Sequence, residues 1–220
     1  MRFIIIDNYD SYTFNLYSLF TIGGETPCVI RNNQFTFAQF ETAIQPYFDA
    51  IIISPGPGSP CNTKDFGICA QVIDSAVLPI FAVCLGHQGV ALQEGASITL
   101  GEHPYHGEIS QVFHSNTDIF IGLPSPFLAV RYHSLVVSRL DLPKTLLETA
   151  WCQDDESGTV CMALKHKTKP IWTTQFHPES ISTQFGREIA DNFIALAMQW
   201  NVDVLPEILI VESKERSLFH

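Results

Sequence analysis

The first hundred residues alternate short, wholly apolar runs with segments of helical spacing. Phe3–Ile6, Pro27–Ile30, Ala50–Ile53 and Ile80–Val83 lack the polar–apolar alternation of a half-exposed strand, which predicts parallel strands covered on both faces. Between the first two runs Tyr12, Leu16, Leu19 and Phe20 share a helix face, with Asp10 or Ser11 as cap and Gly23–Gly24 as stop. Thr36 caps a second helix carrying Phe37, Phe40 and Ile44, and Asp65 a third carrying Cys69, Val72 and Ile73. The order βαβαβαβ predicts a doubly wound sheet.

After residue 96 the spacing tightens to strands without crossover helices: Ser97–Leu100, Glu108–Phe113, Ile119–Ile121, Leu128–Val130, Leu146–Cys152, Val160–Leu164 and Ile171–Phe176. A hairpin joins Leu146–Cys152 to Val160–Leu164 through an acidic turn containing Gly158, and a last helix, Gly186–Gln199, turns Ile189, Phe193, Ile194 and Ala197 inward. The tail from Val202 to His220 holds one more apolar run, Ile208–Val211. It reads either as an arm packed on the domain or as a tether to further chain.

Composition narrows the partners. Of 220 residues, 46% are hydrophobic and 16% charged, well below the roughly 25% charged of an average domain, so a sizeable core is expected and disorder is excluded. With 12 basic against 23 acidic side chains the net charge is −11. The basic residues form no stripe, which argues against nucleic acid or an anionic membrane. Cysteines at 28, 61, 69, 84, 152 and 161 form no Cys-x-x-Cys pair, which fits a reducing compartment. No secretory leader is legible after Met1, and the most apolar stretch, Ala76–Leu85, is interrupted by Pro79 and is about half of the ~20 residues a membrane span needs. A cytoplasmic location is expected.

Chemistry concentrates at the predicted carboxyl edge of the sheet, where open α/β sheets bind ligands. Pro79–Gln88 reads as a buried strand ending in the thiol of Cys84 and turning into a helix, with small Ala82 and Gly86 beside it. That is the pattern of a nucleophile elbow, and helix N-terminal amides favour a thiolate there. At the end of the last strand, Gln175–Glu179 supplies His177 as base and Glu179 two residues on as its orienter, with Pro178 restricting the backbone between them. The loop Ser54–Pro60 carries Gly56, Pro57 and Gly58. No Gly-Lys-Ser/Thr follows, so it is no phosphate loop, but its amides can approach a ligand or an oxyanion. His87 reads as structural, and His103, His106 and Glu108 are weak as a zinc set without nearby cysteines.

These segments, with Asp7–Leu16 and Arg131–Leu135, stand in the order of the class I, triad-type glutamine amidotransferases, which the chain resembles over about residues 1 to 200. Within that class it is similar to the glutaminases of aminodeoxychorismate and anthranilate synthases. Ala82 departs from the glycine that relatives often carry before the elbow. The resemblance implies an α/β, flavodoxin-like three-layer sandwich with a mainly parallel central sheet and additional antiparallel strands in the second half. The amidotransferase domain would span 1–200, with 201–220 a tail or a linker to a synthase domain.

The resemblance further implies a catalytic triad of Cys84, His177 and Glu179. Glutamine would be held by the Gly56–Pro57–Gly58 loop and Leu85, by the Gln88 side chain, and by Ser134 and Leu135 largely through backbone. No metal or other cofactor is implied in this domain, while the synthase partner would need Mg2+. Ammonia would pass to a chorismate-utilising synthase, a separate subunit or a fused domain, docked against Asn8–Asn15 and the Tyr132–His133 segment. The aminodeoxychorismate branch, leading to para-aminobenzoate and folate, is expected first, and the anthranilate branch of tryptophan synthesis second. Two readings of other classes stand beside it: a thiol hydrolase of γ-glutamyl or peptide bonds on the same scaffold, and a non-catalytic binding subunit.

Overall fold

The structure, a computed structural model, describes residues 1–154 and 158–203. The tail expected after Asp203 and the centre of the acidic turn lie outside the described residues. In chain order the elements begin β1 (Phe3–Asp7), α1 (Thr13–Leu19), β2 (Cys28–Arg31), α2 (Phe37–Ala43), β3 (Ala50–Ile53), α3 (Thr63–Phe66), α4 (Cys69–Ser75), β4 (Ile80–Val83) and α5 (Leu85–Gln93). The second half adds β5 (Ile98–Leu100), β6 (Glu108–His114), β7 (Phe127–Arg131), β8 (Leu135–Val137), β9 (Leu146–Asp154), β10 (Gly158–His166), β11 (Ile171–Thr174) and α6 (Gly186–Asp203).

Nine strands form one sheet in the order β2-β1-β3-β4-β11-β10-β9-β6-β7. Pairing is parallel from β2 to β11 and antiparallel from β11 to β7. The two-residue side-chain period of each buried strand serves two cores. Phe3, Ile5, Ile52, Phe81 and Val83 pack on one face with Leu16 and Phe20 near α1 and Phe193 of α6. Ile4, Ile6, Ile51, Ile53, Ile80 and Ala82 pack on the other with Phe40 of α2, Val72 of α4 and Val90 of α5. This is the expected three-layer sandwich.

Several local readings change. Neither Asp10 nor Ser11 caps α1; Tyr12 stands at the cap without a side-chain bond, because the Asp10 carboxylate takes the Tyr12 N–H at 2.7 Å in the turn before it. Thr36 does cap α2, in a reciprocal box with Gln39. Asp65 caps nothing: Asn62 caps α3, and Asp65 instead accepts the Ser59 N–H at 3.1 Å. Ile119–Ile121 is no strand. Residues 118–120 make a single 3₁₀ turn, and the Ile119 and Ile121 carbonyls are satisfied by the Asn192 amide of α6 at 3.1 and 3.0 Å instead of by a neighbouring strand. β8, which pairs with β5 in a separate two-stranded sheet, carries no pattern long enough to read.

Candidate active site

Cys84 sits between β4 and α5 with φ +52° and ψ −99°, a backbone conformation that costs a non-glycine residue about 1–3 kcal/mol. The strand is held into the turn by Cys84 N–H donating to the Thr174 carbonyl at 2.8 Å, and the helix begins with Gln88 N–H donating to the Cys84 carbonyl at 3.0 Å. Space for the turn comes from Gly86, where a Cβ would lie 3.0 Å from the Ile53 carbonyl oxygen and 3.1 Å from Ala82 Cβ. The alanine before the elbow therefore fits because residue 86 has no side chain.

The Ser54–Pro60 loop is tied to the β1–α1 loop. Asn8 donates from its backbone N–H to Ser54 Oγ and from Nδ2 to the Ser54 carbonyl, both at 2.9 Å. A Cβ on Gly56 would stand 2.6 Å from Asn8 Cβ and 3.0 Å from Leu85 Cδ2, and Gly58 has φ +87° with Asp65 filling the space beneath it. Glycine is required at both positions. Gly56, Pro57, Gly58, Leu85, Gln88, Ser134 and Leu135 line one cleft of about 160 Å³ together with Cys84.

His177 and Glu179 are buried beside that cleft, and His177 Nδ1 and Glu179 Oε1 are 2.6 Å apart. The other ring nitrogen, Nε2, is buried without a hydrogen-bond partner. Burial alone would lower the His177 pKa, but the Glu179 carboxylate and then the Cys84 sulfur outweigh it and hold the imidazole well above its ordinary value. The segment is fixed by His177 N–H donating to the Val130 carbonyl at 3.1 Å and by Thr183 Oγ1 donating to the His177 carbonyl at 2.7 Å. Gly186 lets α6 start there, since a Cβ would lie 1.9 Å from the Pro178 carbonyl oxygen.

Three groups that the spacing did not single out complete the surroundings. The Tyr132 carbonyl faces Cys84 Sγ at 3.8 Å, and its ring meets the His177 ring edge-on at 5.3 Å and the Tyr12 ring at 5.7 Å. Gln175 is fully buried, with Nε2 3.6 Å from Cys84 Sγ. Asp10 feels both His177 and Glu179; burial raises its carboxyl above the usual value. The sequence signal for Gln175 and Asp10 was only their place inside segments that bear the family resemblance.

His87 points away from the cleft: it is fully buried with Nδ1 2.7 Å from Thr173 Oγ1, and burial pushes its pKa down to about 3. The His103 ring lies tilted against Tyr105, and the His106 ring meets Tyr132 edge-on. Among the described residues no three His, Cys, Asp or Glu side chains gather as a metal site, and no helix is long and apolar enough to cross a membrane.

Cys84 thus stands at a strand-to-helix turn on the carboxyl edge of the parallel strands, in a cleft beside a buried histidine–carboxylate pair, within an α/β fold. The model of the family "Glutamine amidotransferase class-I" matches residues 4–197. The chain belongs to that family. It is 46% identical over 194 residues to an aminodeoxychorismate synthase of Streptomyces griseus, covering 88% of this chain and 26% of that protein. It is 42% identical over 199 residues to an anthranilate synthase component 2 of Methanothermobacter marburgensis, covering 88% of this chain and 97% of that protein. The chain thus spans about a quarter of the first relative and nearly all of the second. Among solved structures, a candidate GMP synthase subunit from Thermoplasma acidophilum superposes with a TM-score of 0.78 at 27% identity, covering 91% of this chain and 96% of that one.

Proposed function

We propose that this chain is the glutaminase unit of a chorismate-utilising synthase, hydrolysing L-glutamine to glutamate and ammonia and delivering the ammonia to that partner. The observation that carries the reading is the strained Cys84 at the head of α5 with His177 held by Glu179 at 2.6 Å beside it.

In this reading the Cys84 thiolate attacks the side-chain carboxamide carbon, and the displaced carbonyl electron pair forms an oxyanion. The Leu85 N–H, at the start of α5 and without a helix partner, receives that oxyanion with an N–H of the Gly56–Gly58 loop. Collapse of the adduct breaks the C–N bond as His177 gives its proton to the departing ammonia. His177 then takes a proton from water, which opens the thioester to glutamate and returns the thiolate. Glu179 keeps Nδ1 engaged so that Nε2 handles both protons. Gln88, which lines the cleft, uses its amide hydrogens on the Leu135 carbonyl and Gln175 Oε1, at 3.0 and 3.1 Å; in this reading its oxygen is the acceptor for the substrate.

Aminodeoxychorismate synthase is the favoured partner, supported by the 46% identity to such an enzyme; the anthranilate branch, at 42% identity, is the second reading. The test supplies the chain with each kind of synthase, chorismate, and either glutamine or an ammonium salt. Glutamine-driven product with the aminodeoxychorismate synthase, read by fluorescence as para-aminobenzoate after lyase treatment, is expected. The ortho isomer with the other synthase alone would reverse the branch. Ammonia-driven product without any glutamine-driven product in either pairing would remove the glutaminase reading.

The docking face proposed for the synthase is the β1–α1 loop and the first turn of α1, where Tyr9 is 52% and Phe14 69% exposed. The substitution Phe14→Glu is expected to weaken the complex by about 30-fold, as loss of an aromatic anchor does, without changing the melting of the isolated chain. Titration calorimetry checks it, and an unchanged affinity would move the interface elsewhere.

A further inference from the structure

Gln175 closes a run of directed hydrogen bonds that ends on the nucleophile. Arg131 is fully buried, and its guanidinium can only donate. Its Nε donates to His133 Nε2 at 3.1 Å, so the His133 proton resides on Nδ1, which donates to the Leu135 carbonyl at 3.0 Å. Burial pushes the His133 pKa down to about 3, which keeps this neutral tautomer. The Leu135 carbonyl can only accept, so the Gln88 group facing it at 3.0 Å is Nε2, and the second Gln88 hydrogen points at Gln175 at 3.1 Å. Gln175 must then present Oε1 to Gln88 and its NH2 group to the sulfur, at 3.6 Å. The flipped amide would set two donors face to face, so the orientation follows from the Leu135 carbonyl, which the His133 ring also bonds.

We propose that Gln175 is a further catalytic residue of the reaction assigned above, its Nε2 donating to Cys84 Sγ so that the sulfur is held as the thiolate that attacks glutamine. The inference rests on that reading for its chemistry, though its first readout needs no glutamine. A donor to the charged form of a group favours that form. The other titratable groups near Cys84 are His177 with Glu179 and Asp10 behind it, Tyr132, His133, and His87 on α5; the last two are neutral imidazoles. Gln175 is therefore the neutral donor that adds to the His177 charge.

The test is the pH dependence of Cys84 alkylation by iodoacetamide in the full chain, followed by the mass of the Cys84 peptide so that the other cysteines do not interfere. Gln175→Met removes the donor without adding charge. The midpoint is expected to rise by about one pH unit, a loss of about tenfold in alkylation rate below it. A role confined to holding Gln88 would raise the KM for glutamine and leave the midpoint in place, and that result overturns the proposal. If Gln175→Met does not fold, Gln175→Asn keeps the amide but withdraws it by about one bond length, ~1.5 Å; the same rise is expected, and an unmoved midpoint again overturns it. Absence of glutamine turnover by the wild-type chain with either synthase, with the alkylation midpoint still raised in Gln175→Met, would sink the glutaminase reading and leave the contact standing; glutamine turnover with an unmoved midpoint would do the reverse.

Discussion

Replacing Cys84 by serine is expected to abolish glutamine-driven amination of chorismate in the reconstituted complex and to leave the ammonia-driven reaction unchanged. The exchange is nearly isosteric, so the strained turn, held by the Thr174 carbonyl and the space at Gly86, is kept. What changes is the acid. A serine hydroxyl is not ionised by an imidazole that is itself held charged by Glu179, and loss of a covalent nucleophile costs at least about 10³-fold in kcat. Ammonia supplied from solution bypasses the cleft, so its product formation reports only on the synthase. Steady-state rates with each nitrogen source, on wild type and Cys84→Ser, give the ratio directly. Equal losses with both sources would mean that the substitution damaged the complex; no loss with glutamine would mean that Cys84 is not the nucleophile.

The parts of this site that are contiguous in sequence are the parts that could be read from it. Cys84 with Gly86, and His177 with Glu179, occupy single turns at strand ends, so spacing alone places them at one sheet edge once the strands are recognised. The parallel half was equally legible, because β1, β3 and β4 are short runs buried on both faces. The failures share one physical origin, a competing partner that spacing does not reveal, sometimes close by, as with Tyr12 and Asp10, and sometimes far along the chain. Ile119 and Ile121 resemble a strand until Asn192 claims their carbonyls. Asp65 resembles a cap until its carboxylate is taken by the loop that Gly58 bends. Gln175 resembles any strand-end polar residue until Gln88, itself oriented by Leu135, fixes which end of its amide meets the sulfur.

Arg131→Met is expected to lower stability by about 3–5 kcal/mol, the cost of removing one partner from a buried ion pair. Arg131 is completely buried, bonded to Asp154 at 2.9 Å, and stacked over the Tyr105 ring, whose hydroxyl donates to the same carboxylate. Methionine fills much of the volume but returns none of these bonds. Urea unfolding of the variant measures the loss, and a change below about 0.5 kcal/mol would show that the network is solvated. The acid limb gives a second reading. Burial raises the Asp154 carboxyl, but hydrogen bonds from Arg131 and Tyr105 outweigh it and hold the folded pKa below 3.8. A depressed carboxylate stabilises the fold above its unfolded value, and that contribution is lost as the pH falls through the depressed one. Wild type should therefore lose stability from about pH 4 downward more steeply than Arg131→Met, in which the depression is relieved. The same substitution frees His133 from its fixed tautomer and so loosens the Leu135 carbonyl that orients Gln88. A rise of about tenfold in the KM for glutamine should accompany the stability loss, because the strand that anchors the sheet edge and the carbonyl that orders the cleft are held by one guanidinium.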